Sequence, residues 1–155
     1  MTPLALRNMV IDRKAVFRIA ILIVVFTAIR GFVLWDHAKV ARDFNQLETL
    51  LKDTRYRAIT TDKTLVVRFS GNDVTVSDGK TNEIIGLLTI PTLHQVNYDT
   101  TLGDDMIVFD GHGTSAYNKR VHGGDIRLKS WLGFEKNIAV NSTGLVTEGV
   151  YPGEF

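Results

Sequence analysis

Asp104, Asp105, Asp110, His112 and His122 carry the side-chain types that hold a hard cation or a mixed carboxylate–imidazole metal site. Asp110, His112 and Ser115 include the residue types of a hydrolase triad. Triads, however, are assembled by three-dimensional geometry, and adjacency in one loop supplies none. Gly111-His112-Gly113-Thr114 resembles an anion cradle, but no helix follows to offer a positive N-terminus. Asn141-Ser142-Thr143 matches a glycosylation sequon and equally a turn. One reading covers all four patterns: Asp, Asn and Gly favour turns because they tolerate left-handed backbone and bond their own main chain. We read these residues as turns and expect no catalytic, metal-binding or cofactor-binding residue. His94 is expected as a packed or edge histidine, and Trp131, Phe134 and Tyr151 as core or rim aromatics.

The elements that position these turns follow from composition and periodicity. The chain has 155 residues, 45% hydrophobic and 23% charged, which suits about one globular domain. It has no cysteine, which excludes disulfides, thiolate metal sites and thiol catalysis. The net charge of +1 hides a division: residues 1–35 carry +4 and the remaining 120 carry −3. Ala15 to Trp35 reads AVFRIAILIVVFTAIRGFVLW, whose only charges are Arg18 and Arg30. About 20 apolar residues cross a hydrocarbon core. Arg7, Arg13, Lys14 and Arg18 precede the run and Trp35 closes it, as positive-inside orientation and an aromatic belt require. Arg18 and Arg30 sit near its two ends, where a long side chain can snorkel. The alternatives are a buried core helix, since Ile19–Ile29 is uninterrupted for only 11 residues, and a secretory signal. Phe32-Val33-Leu34-Trp35 is not a small-residue cleavage site. The anchor is therefore expected at Phe17, Ile19, Ile21, Ile23, Val25, Phe26, Ile29 and Trp35.

The periodicity then predicts that the helix continues to about residue 59. Val40, Phe44, Leu47 and Leu51 recur at i, i+4, i+7 and i+11, with Ala58 in phase, and no proline falls between Pro3 and Pro91. Val40, Phe44, Leu47, Leu51 and Ile59 are expected to pack on the sheets. Lys39, Arg42, Asp43, Glu48, Lys52, Asp53 and Arg57 are expected on the solvent side, with Glu48–Lys52 and Asp53–Arg57 spaced for ion pairing. From Thr64 the period becomes two. Strands are predicted at 65–69, 74–76, 83–90, 93–98, 106–110, 125–130, 134–140 and 145–147, joined by Gly-, Asp- and Asn-rich turns. The fold class is α+β: a long N-terminal helix, membrane-spanning and then amphipathic, packed on an antiparallel β-sandwich-like domain. The organisation is a basic leader at 1–14, a transmembrane helix at 15–35, an amphipathic continuation at 36–60 and the β domain at 61–155.

This order of parts resembles the type IV pilin-like proteins, and the C-terminal half resembles the GspH/FimT pseudopilin domain. The resemblance rests on a strand and loop Ile107-Val108-Phe109-Asp110-Gly111-His112-Gly113-Thr114, a strand Ile126-Arg127-Leu128, and a hairpin Ile138-Ala139-Val140 with Gly144-Leu145-Val146. Its motif residues are Phe109, Asp110, Gly111, Gly113, Thr114, Ile138, Val140, Gly144 and Val146. The resemblance covers about residues 17–150. It implies a leader cut between a Gly and a Phe, with a Glu four residues after the Phe. With Phe17 at the Phe position, Val16 replaces the Gly and Ile21 the Glu, and Ala38 stands near the usual kinking proline. The leader is therefore expected to stay on. FimT-like members are associated with DNA through a basic C-terminal region, whereas Thr147–Phe155 holds two acids and no base. No nucleic-acid partner is expected, and Lys119, Arg120 and His122 are read as a solvated turn.

The expected function is a non-enzymatic, membrane-anchored minor pseudopilin-like subunit of a type II secretion or type IV pilus-type assembly. The resemblance implies as partners other pilin-like subunits, an inner-membrane assembly platform and membrane lipid, with a secreted protein as a further candidate. Loops 111–122 and 141–149 are the expected contact surface. The implied location is the bacterial inner membrane, single-pass, with a cytoplasmic N-terminus and a periplasmic β domain. The alternative is an anchored envelope domain that binds a secreted protein or polysaccharide without forming a filament.

Overall fold

The computed structural model describes residues 13–98, 105–117, 120–121 and 123–150. Helix α1 runs without a break over Arg13–Thr61, two residues beyond the predicted bounds at each end. It closes with a Schellman cap. The Lys63 N–H donates to Ala58 O at 3.1 Å and the Asp62 N–H to Ile59 O at 3.4 Å. Asp62 takes the left-handed position, φ 51°, that glycine usually fills.

The chain forms two compact units, 1–35 and 36–155. In the first, every described side chain from Val16 to Trp35 is exposed, including Phe17, Ile19, Ile21, Ile23, Val25, Phe26, Ile29 and Trp35. Its most apolar window has a mean hydropathy of 2.2, long and apolar enough to cross a membrane. Phe32 and Trp35 stack with centroids 6.0 Å apart, and the Arg30 guanidinium lies 4.8 Å from the Phe26 ring centroid.

Among the described residues of the second unit, ten strands follow the helix: β1 (Leu65–Ser70), β2 (Asp73–Asp78), β3 (Ile84–Thr89), β4 (Leu93–Tyr98), β5 (Met106–Phe109), β6 (Ala116–Tyr117), β7 (Arg120–Val121), β8 (Gly124–Lys129), β9 (Glu135–Val140) and β10 (Val146–Glu148). They make two four-stranded sheets, β3-β2-β1-β5 and β10-β9-β8-β4, and the small hairpin β6-β7. All pairings are antiparallel. Hairpin β6-β7, inside the predicted loop 111–122, was not legible because two-residue strands show no alternation.

The period-two pattern sorts the side chains as expected. Leu65, Val67 and Phe69 of β1 face the main core, whereas Val66 joins Met106 and Val108 in a small cluster on the other face. The main core is shared by both sheets and the helix. Val40, Phe44, Leu47, Leu51 and Ala58 meet Val67, Val74 and Val76 of one sheet and Ile126, Leu128, Ile138, Val140 and Val146 of the other. Truncating Leu47 or Leu51, both fully buried, to Ala would cost about 2–5 kcal/mol.

Three placements differ from the sequence reading. Asp43 is not on the solvent face: it is fully buried, accepting from Thr92 Oγ1 at 2.9 Å and from Arg42 Nη2 at 3.1 Å. It stands seven residues after Asp36, in phase with the apolar stripe, so the helix turns it inward. Ile59 is 43% exposed, because Ala58 takes the buried position in that turn. Trp131 is neither core nor half-covered rim: it is 83% exposed at the tip of a turn. Tyr151 and residues 1–12 of the leader lie outside the described residues.

Candidate interaction surfaces

Three turns of the β domain share one construction: Asp110–Thr114, Ser130–Phe134 and Asn141–Leu145. In each, the first residue's N–H donates to the fifth carbonyl, at 3.1, 2.9 and 3.1 Å respectively. The fourth N–H donates back to the first carbonyl, at 2.9, 3.1 and 2.8 Å. The fourth residue is always glycine, Gly113, Gly133 or Gly144, with φ of 78°, 88° and 74°. A side chain there would be strained. The first side chain then accepts the fifth N–H: Thr114 N to Asp110 Oδ1 at 2.9 Å, Phe134 N to Ser130 Oγ at 3.1 Å, Leu145 N to Asn141 Oδ1 at 2.8 Å. This is the turn chemistry that Asp, Asn and Ser supply.

Two of these turns meet at the C-terminal end of α1. Ser115 N donates to Ser142 O at 3.1 Å. Arg55 reaches across both, donating from Nε to Gly113 O at 2.9 Å and from Nη2 to Thr143 O at 3.2 Å. Glycine is required here for close approach. A Cβ on Gly111 would run into the Asp62 carboxylate, one on Gly113 into Ile59 Cδ1 at 2.5 Å, and one on Gly144 into Gly113 O. Asp110, Gly111, Gly113, Thr114 and Gly144 thus converge under Arg55, Ile59 and Asp62, while Phe109, Ile138, Val140 and Val146 are buried in the core behind them.

The polar groups at this end bond the turns themselves. Burial pushes the Asp110 carboxyl up, but the Thr114 hydroxyl, the Thr114 N–H and the His112 N–H together hold it below its ordinary value. The bond Asp110 accepts from His112 comes from the backbone N–H, and His112 is exposed. That arrangement serves a turn and does not orient an imidazole. Ser115 is buried at 1% exposure. Among the described residues no group of three or more His, Asp or Glu is placed to share a metal ion. Asp104, Lys119 and His122 lie outside those residues; Asp105 is exposed. Asp78 heads a related, longer turn that returns through Asn82, φ 57°. The N–H groups of Lys80 and Thr81, then the Lys63 ammonium, lower its pKa to about 2.

A second surface lies between α1 and the edge strand β3. It is a groove of about 870 Å³ whose walls include Ala41, Asn45, Thr49, Asp53, Ile85 and Leu87. Ile84 and Leu87 are 66% and 68% exposed on this unpaired edge. Glu48 and Lys52 form the expected pair, 2.9 Å, on the helix surface. Sequence reasoning missed Asp36, Asp43 and Arg55, the residues that tie the helix to the loops. The two aspartates were detectable as polar interruptions in phase with Val40, Phe44, Leu47 and Leu51. Arg55 bonds carbonyls 58 and 88 residues away, which leave no mark on the local pattern.

No family model, curated protein or solved structure matches the chain. The layout is pilin-like: one long N-terminal apolar helix, its later part packed on antiparallel sheets.

Proposed function

We propose that this protein is a membrane-anchored minor pseudopilin-like subunit of a type II secretion or type IV pilus-type assembly, of the GspH/FimT kind. One observation carries the reading. A single unbroken helix is exposed and apolar over 16–35 and then, from Val40, supplies one wall of the β domain's core. A helical segment apolar all round and exposed among the described residues calls for lipid or neighbouring helices. The basic residues before it orient the N-terminus to the cytoplasm and the β domain to the periplasm. The convergence of the motif glycines Gly111, Gly113 and Gly144 at the end of the helix supports the GspH/FimT assignment. The described parts of loops 111–122 and 141–149 then offer the surface for other pilin-like subunits, and the protein has no catalytic role.

The leader departs from the class at Val16 and Ile21, and the chain keeps it. Recovery from the native membrane with Phe17 at the N-terminus overturns that statement. Affinity capture of the full chain in mild detergent tests the assembly reading: co-purification of other pilin-like subunits supports it, and recovery of the chain alone overturns it. The groove beside β3 favours a second reading, an anchored envelope domain that binds a secreted protein or polysaccharide without polymerising. On that reading, capture returns such a ligand, and Asn45→Trp, which places a bulky ring in the groove wall, lowers its recovery.

A further inference from the structure

Strand β3 ends its sheet among the described residues, with β2 on one side and no strand on the other. The direction of its free main-chain groups follows from its bonds. Ile90 N–H donates to Asn72 O at 2.7 Å, and the register sets Leu88 opposite Val74 and Leu87 opposite Thr75. Alternate residues of an antiparallel ladder turn their N–H and C=O to the same neighbour. Gly86 and Leu88 therefore bond β2, while Leu87 and Thr89 turn both groups to the open edge. The register shift that leaves Ile85 unpaired lies before this stretch. Sheet edges are ordinarily guarded by charge or proline, and residues 84–90 contain neither.

Across the groove stands the surface of α1 that carries Asn45, Gln46 and Thr49. The Asn45 and Gln46 amides have no hydrogen-bond partner among the described residues. Each offers both donors and an acceptor. The groove thus has a main-chain edge along one wall and side-chain amides along the other. A polypeptide in strand conformation fits both walls. Its own N–H and C=O groups leave from its two edges at the same two-residue interval, about 6.6 Å. A helix spends those groups internally, and a polysaccharide carries hydroxyls and no row of amides.

We propose that the groove takes up an extended segment of another protein, which joins β3 as a further strand and bonds Asn45 and Gln46 along its outer edge. This rests on the envelope-binding reading of the groove and narrows its ligand to polypeptide. The test uses the full chain in mild detergent, a library of random six-residue peptides matching the length of β3, and dextran and alginate as polysaccharide probes. The expected result is retention of peptides with apolar residues at alternate positions. A retained peptide should slow amide exchange, followed by NMR, about tenfold or more at Leu87 and Thr89 and leave Gly86 and Leu88 unchanged. Asn45→Ala combined with Gln46→Ala, both exposed on the helix, should weaken its binding about threefold to tenfold. Retention of dextran or alginate in place of peptides, lowered by Asn45→Trp, overturns the proposal and leaves the groove a binding site. Retention of no probe overturns both. Peptide binding that leaves exchange at Leu87 and Thr89 unchanged also overturns the proposal. So does exchange there that slows with protein concentration alone, which assigns the edge to a second copy of the chain.

Discussion

The turn at Ser130–Phe134 and the pair at Asp110–Thr114 and Asn141–Leu145 share one backbone and differ in what is placed on it. The pair is locked beneath the last turns of α1, with Arg55 bonded to Gly113 O and Thr143 O and glycines where a methyl group would collide. The single turn is held at the other end of this helical segment by one bond to Asp36, and Gly133 has open space around it. Arg55 and Asp36 are 19 residues apart, about 28 Å of helix. The same loop thus serves as a packed joint at one end and as a bracket for exposed side chains at the other. Loop sequence alone would assign them one role.

The largest expected effect tests whether packing separates the ends. Gly144→Ala is both strained and in collision, and should cost about 3–5 kcal/mol in urea unfolding of the full chain in mild detergent. Gly133→Ala has the same backbone strain without a neighbour and should cost about 1 kcal/mol. Equal losses would remove the distinction. Next come the ties to the helix. Arg55→Ala gives up two charge-assisted bonds at a half-buried site, about 1–2 kcal/mol, against about 1 kcal/mol for the single bond lost in Asp36→Ala.

Acid should separate the turns by the side chain that heads each. The Asp110 carboxyl is held below its ordinary 3.8, and Asp78 is lowered to about 2. A lowered carboxyl pKa stabilises the fold fully above the unfolded value, and that stability is lost as pH falls through the folded value. The loss therefore begins below about pH 4 and extends to about pH 2 for Asp78. The Ser130 and Asn141 side chains that head the other two turns do not titrate. Asp110→Asn, which copies the Asn141 turn, should flatten the thermal midpoint's dependence on pH below 4, while Ser130→Asn should leave the slope unchanged. The smallest effect is at the exposed tip: Trp131→Ser should change urea stability by less than about 0.5 kcal/mol, since the residue is 83% exposed.

Much of the architecture was legible because it obeys local periods. The stripe Val40, Phe44, Leu47, Leu51 and Ala58 is buried as read, and the switch to period two at Thr64 marks the first strand within a residue. Legibility failed where partners are distant in sequence. Asp43 was assigned by its charge to solvent, yet Thr92 supplies the bond that lets it be buried. The motif glycines were recognised as a pattern, but the reason for glycine at 111, 113 and 144 lies in Asp62, Ile59, Arg55 and one another's backbone. Nor does sequence show that Ile84-Ile85-Gly86-Leu87-Leu88 forms an exposed edge. An apolar run of that kind reads equally as a strand covered on both sides.

The ties between α1 and the turns also set a timetable for biosynthesis. Asp36 leaves the ribosome 96 residues ahead of Leu132, and Arg55 leaves 88 residues ahead of Thr143. At 5–20 residues per second, the helix waits about 5–20 s for the loops that will clasp it. The apolar first segment is therefore committed to its surroundings well before the β domain can close.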